Sequence, residues 1–95
     1  MDKFNKLALV AVEYQRKGKL SEAKKIYKEL LNIQQKNPQI LRLMGTIEYE
    51  LKNYLKSFEY LSKSIEINPN ESETYSNRGM VNVKLNNIEQ AIEDY

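Results

Sequence analysis

The sequence predicts an all-α protein of antiparallel helix pairs stacked side by side. Three observations carry this: residue sizes recur every 34 positions, apolar residues within each copy fall three and four apart, and turn residues divide each copy in half. Shifting the chain by 34 superposes Ala11, Gly45 and Gly79, then Ala23, Ser57 and Ala91. It also superposes Leu7, Leu41 and Tyr75, then Leu20, Tyr54 and Ile88, then Tyr27, Leu61 and Tyr95, and finally Ile33 with Ile67. Small positions stay small and large apolar positions stay large or aromatic.

Helices are expected near 3–16, 21–35, 38–51, 55–67, 72–85 and 88–95. The first and second are divided at Lys17-Gly18-Lys19, the third and fourth at Lys52-Asn53, and the fifth and sixth at Asn86-Asn87. Gly and Asn tolerate the left-handed conformation that ends a helix. Asn37-Pro38 supplies a cap followed by proline at the first helical position, and Asn70 with Glu73 has the spacing of a capping box. Leu41, Met44, Gly45 and Leu51 share one side of the third helix, as do Phe58, Leu61 and Ile65 on the fourth. The small residues mark the places where paired helices cross, because a large side chain there would hold the backbones apart.

Met44-Gly45, Tyr54, Ser57, Leu61 and Ile67-Asn68-Pro69-Asn70, followed by Tyr75, Gly79, Ile88, Ala91 and Tyr95, resemble successive tetratricopeptide repeats, whose length is 34 residues. The resemblance covers nearly the whole chain as one domain: a repeat over about 4–37, a second over about 38–71 and an incomplete third over about 72–95. It implies a right-handed superhelix. Two departures stand out. Gln35 occupies the place of Pro69, and the aromatic expected late in each first helix is present as Tyr14 but replaced by Glu48 and Asn82.

Composition narrows the chemistry. The 95 residues contain neither Cys nor His, so the chain offers no thiolate, no imidazole base and no disulfide. Glu89, Glu93 and Asp94 lie close together, but nothing near them in sequence would desolvate them and shift a pKa. The three glycines are dispersed and form no phosphate loop. No cofactor, metal or catalytic role is implied. Fifteen basic and thirteen acidic side chains give +2, too little to argue for nucleic acid or an anionic membrane. The densest basic cluster, Lys17, Lys19, Lys24, Lys25 and Lys28, falls on or before the second helix and has one interleaved aromatic, Tyr27. The distribution is bipolar: residues 1–37 carry nine basic and four acidic side chains, and residues 38–95 carry six and nine. The apolar run Leu7 to Val12 is six residues long, short for a secretory signal and far short of a membrane span. A cytoplasmic location is the expectation.

The resemblance implies a protein-interaction scaffold whose concave face, built from the first helix of each repeat, binds a peptide or helix of a partner protein. It assigns to that face Leu9, Val12, Leu43, Thr46, Tyr49, Met80 and Val83, with Arg16, Arg42, Asn77 and Lys84 on its flanks and Arg42 and Asn77 giving polar specificity. Chaperone-binding members of the family clamp a C-terminal carboxylate with Lys, Asn and Arg. The matching places here hold Ala8, Val12, Leu43, Glu73 and Asn77, so that clamp is not expected. Two alternatives accompany this reading. One is a self-assembly module, a homodimer formed through Ile88 to Tyr95 of the incomplete third repeat; the expected explanation of that incomplete end is instead that the chain is a piece of a longer repeat array. The other is a substrate-recruiting N-terminal segment of a larger enzyme such as a glycosyltransferase, which Lys17 to Ala23 with Tyr27 and Leu30-Leu31 loosely resembles.

Overall fold

Helix α1 spans Lys3–Arg16, α2 Leu20–Ile33, α3 Pro38–Glu50, α4 Tyr54–Ile67 and α5 Ser72–Glu93, with no strand among the described residues. The computed structural model describes residues 2–93, and for residues 89–91 the backbone alone. The starts of α1 and α3 have a local cause. Asp2 Oδ1 accepts the Asn5 amide at 2.8 Å, and Asn37 Oδ1 accepts the amides of Gln39 and Ile40 at 3.0 and 3.1 Å, with Pro38 opening α3. These caps satisfy amides that lack a partner within the helix. The Asn70 cap does not form as expected: α5 begins at Ser72, Asn68 Oδ1 accepts the Asn70 amide at 3.3 Å, and Glu73 turns to Arg42.

The turns within the first two helix pairs, α1–α2 and α3–α4, each contain one left-handed residue. Gly18 has φ of 80° between α1 and α2. Lys52, its counterpart between α3 and α4, has φ of 67°, a conformation that costs a non-glycine residue roughly 1 kcal/mol.

Packing follows the repeat. Helix α1 lies on α2, α2 on α3, α3 on α4 and α4 on α5. Ala11, Ala23, Tyr27, Leu30, Ile40, Met44 and Ile47 form a buried cluster that joins the first three helices. At the α3–α4 crossing, a Cβ built on Gly45 would lie 2.6 Å from Cγ and Cδ2 of Leu61. The fully buried Ser57 hydroxyl donates to the Gly45 carbonyl at 2.7 Å. The small residues there set the helix separation and also hydrogen-bond across it.

The third repeat departs from the expectation. The turn at Asn86-Asn87 does not form, and the helices expected at 72–85 and 88–95 are one continuous α5 through Glu93. Asparagine tolerates a left-handed turn without requiring one. At Gly18 and Lys52 the reversal is offset by burial of the returning helix, through Ala23, Tyr27 and Leu30 on α2 and through Ser57, Leu61 and Ile65 on α4. Beyond Asn87 the described side chains offer Ile88 and Ile92, which are 44% and 70% exposed, so continuing the helical hydrogen bonds prevails. Gly79 consequently has nothing among the described residues within 4 Å of a Cβ, although it stands 34 residues after Gly45. Asp94 and Tyr95 lie outside the described residues, as do the side chains of Glu89 and Ala91.

Candidate functional site

Helices α1, α3 and α5, the first of each pair, carry all the residues expected on the inner face. Four of them meet. Thr46, Tyr49, Asn77 and Met80 line one hollow of about 260 Å³ between α3 and α5, floored by Gly45, Leu61 and Val81 and bordered by Glu50. Periodicity explains the convergence, since Thr46 and Tyr49 are three apart, as are Asn77 and Met80, and each pair shares a helix side. The Tyr49 ring is held edge-on against Tyr54, with centroids 5.6 Å apart.

The other expected residues are distributed differently. Leu43 is half-buried and packs against the buried cluster, which makes it as much a core residue as a surface one. Leu9 and Val12 on α1 are exposed, as are Val83 and Lys84 on α5, and none of these four lines the hollow. The Arg16 guanidinium is engaged by Glu13 one turn earlier, with Nε to Oε2 at 3.1 Å. That pairing holds the Glu13 carboxyl below, and the Arg16 guanidinium above, their ordinary ranges. Arg42 Nη1 reaches Glu73 Oε1 at 3.4 Å, linking α3 to α5. Arg42 also lines a second hollow, of about 270 Å³, together with Asn37, Ser64, Asn68 and Thr74.

A polar chain ties the first three helices together on the same side. Tyr27 donates its phenol to Gln15 Oε1 at 3.1 Å, and Gln15 Nε2 donates to Thr46 Oγ1 at 3.0 Å and to Glu50 Oε1 at 2.9 Å. Thr46 in turn donates to the Leu43 carbonyl at 2.7 Å. Burial pushes the Tyr27 phenol up to about 12, with smaller opposing influences from Arg42 and Glu50. The folded state therefore retains a proton that the unfolded chain loses near the ordinary tyrosine value of 10.0. Stability from this group is complete below pH 10 and is lost as pH rises toward 12, amounting to roughly 3 kcal/mol. Tyr27→Phe should flatten the corresponding decline in denaturation midpoints relative to the parent chain.

Resemblance to solved proteins agrees with this geometry. Models described as tetratricopeptide repeat match residues 7–37 and 39–71, and a further one matches residues 60–93. The chain belongs to the tetratricopeptide repeat family. The first tetratricopeptide domain of Spaghetti (RPAP3), solved bound to the HSP90 peptide SRMEEVD, is similar with a TM-score of 0.84 at 24% identity, covering 98% of this chain and 74% of that one. MamA residues 41 to end from Desulfovibrio magneticus RS-1 gives 0.83 at 23%, covering 96% of this chain and 51% of that one. A tetratricopeptide repeat protein from Parabacteroides merdae gives 0.80 at 27%, covering 96% and 36%. The chain thus spans about half of MamA and about a third of the Parabacteroides protein. A search of curated protein sequences finds no match.

In this tetratricopeptide chain, sequence reasoning missed one pair. Lys24, counted above in the basic cluster of the second helix, is half-buried and donates to Glu48 Oε1 at 3.0 Å, linking α2 to α3. Asn53 donates to the same oxygen at 3.1 Å, while the buried Oε2 has no hydrogen-bond partner among the described residues. The signal was the acid at a packing position: Glu48 replaces an aromatic, is 1% exposed, and needs a cation from a facing helix. Among the described residues no helix is long and apolar enough to cross a membrane, and no three metal-binding side chains cluster.

Proposed function

We propose that the chain is a protein-interaction scaffold that binds a peptide or helix of a partner protein on its inner face. The observation that carries this reading is the hollow between α3 and α5, where Thr46, Tyr49, Asn77 and Met80 converge. An apolar cleft with a few placed polar groups is the usual form of a peptide site. The chemistry offered differs from that of a carboxylate clamp. Spaghetti (RPAP3) domains bind an acidic HSP90 peptide. The corresponding places here are Ala8, Val12, Leu43, Glu73 and Asn77, and Glu73 already holds Arg42. The apolar contacts of the hollow therefore supply the anchor, while Asn77 offers an amide to the ligand backbone.

The test is a double change, Tyr49→Ala with Met80→Ala, on side chains that are half-buried and exposed. Peptides selected from a random display library against the parent chain should bind the variant at least tenfold more weakly, about 1.4 kcal/mol, with helical circular dichroism unchanged. Undiminished affinity would place binding elsewhere.

A further inference from the structure

The hollow between α3 and α5 has one charged border, and that border is open. Of the three basic side chains assigned to the inner face, Arg16 is engaged by Glu13 and Arg42 by Glu73, while the exposed Lys84 makes no ion pair among the described residues and does not line the hollow. Glu50 differs from those two carboxylates. Its side chain is exposed, Oε1 accepts the Gln15 amide at 2.9 Å, and no cation lies within 4.0 Å among the described residues. Beside it stand the Tyr49 ring and the apolar side chains of Leu61, Met80 and Val81.

From this arrangement we propose that the hollow receives a basic side chain of the partner peptide, an arginine or lysine, its methylene stem against Met80 and Leu61 and its cationic head at Glu50 and Tyr49. Long basic side chains bury their stems on apolar surface while keeping the head at a polar edge. A carboxylate with an open oxygen gives that head a charge-assisted hydrogen bond, and an aromatic face adds cation–π attraction. Gln15 contributes by holding Glu50: its amide oxygen is occupied by Tyr27 and its nitrogen by Thr46 and Glu50, which fixes the carboxylate at the mouth. A wholly apolar anchor would fill the floor and desolvate Glu50 with no cation to offset its charge, an unfavourable outcome. An acidic anchor would meet like charge. The proposal rests on the inner face being the binding face, and it names the chemistry of what binds there.

Glu50→Gln is the informative variant, since it keeps an acceptor for Gln15 and removes only the charge. Peptides selected against the parent chain should be enriched in one Arg or Lys flanked by apolar residues. They should bind Glu50→Gln about tenfold more weakly, and selection against Glu50→Lys should exchange the basic preference for an acidic one. As a direct probe, N-acetyl-arginine amide and N-acetyl-lysine amide should shift the Tyr49, Asn77 and Met80 resonances in the parent chain and not in Glu50→Gln. N-acetyl-glutamate amide should shift none. Stronger shifts with the arginine probe than with the lysine probe would identify a planar head stacked on Tyr49. Selected peptides that lack a basic residue yet lose binding in the Tyr49→Ala, Met80→Ala variant would overturn this inference and leave the binding face standing. Peptides insensitive to both variants would overturn both.

Discussion

Lys24→Met is expected to destabilise the chain by about 3 to 5 kcal/mol, the cost of leaving a buried carboxylate without its cation. Glu48 is 1% exposed and takes its charged partner from Lys24 alone among the described residues, with Asn53 adding one neutral bond. Combining Lys24→Met with Glu48→Leu should recover most of that loss, because the pair's mutual attraction does little more than repay its desolvation. Urea midpoints of the two single variants and the double variant give the coupling directly. Equal additive losses would show that the two side chains act independently. Since the pair joins α2 to α3, the Lys24→Met loss falls on the contact between successive repeats.

Gly45→Ala and Gly79→Ala should have opposite signs, although the repeat makes them equivalent. At Gly45 the new Cβ would sit 2.6 Å from the branching carbon of Leu61, so a whole buried side chain would have to move. The expected loss is about 1 to 3 kcal/mol, partly offset by the better helix propensity of alanine. At Gly79 nothing among the described residues lies within 4 Å, and propensity alone should add about 1 kcal/mol. Thermal melts of both variants test the pair. A loss at Gly79 comparable to that at Gly45 would mean that a helix packs across α5 as α4 packs across α3.

These two cases also show where the sequence was legible. The 34-residue period located α1 to α4 and the small residues at Ala11, Ala23, Gly45 and Ser57, since each of those side chains has a size that only a helix crossing requires. The cap at Asn37 and the turn at Gly18 were legible for the same reason: the residue type and the local backbone demand agree. The course of α5 was not. Asn86 and Asn87 permit a turn, but whether the chain takes it depends on how much apolar surface the returning segment buries. The Lys24–Glu48 pair was half legible, as an acid in an aromatic's place, but the identity of its cation depends on which face of α2 meets α3. Of the inner-face residues, Thr46, Tyr49, Asn77 and Met80 converge because they share helical register. Leu43 shows that one position can serve the core and the surface together.

The unbroken course of α5 has a geometric consequence. Nine residues separate Gly79 from Ile88, and at about 100° per residue that is two and a half turns, so the two point in opposite directions. Ile88 turns toward the corner between α3 and α4, where it lines a hollow of about 520 Å³ with Tyr54, Leu55 and Leu85. Gly79 is left as an exposed notch on the far side of the helix. The unbroken helix therefore faces its own neighbours with the larger residue and presents the smaller one outward, the reverse of Gly45 lying under Leu61.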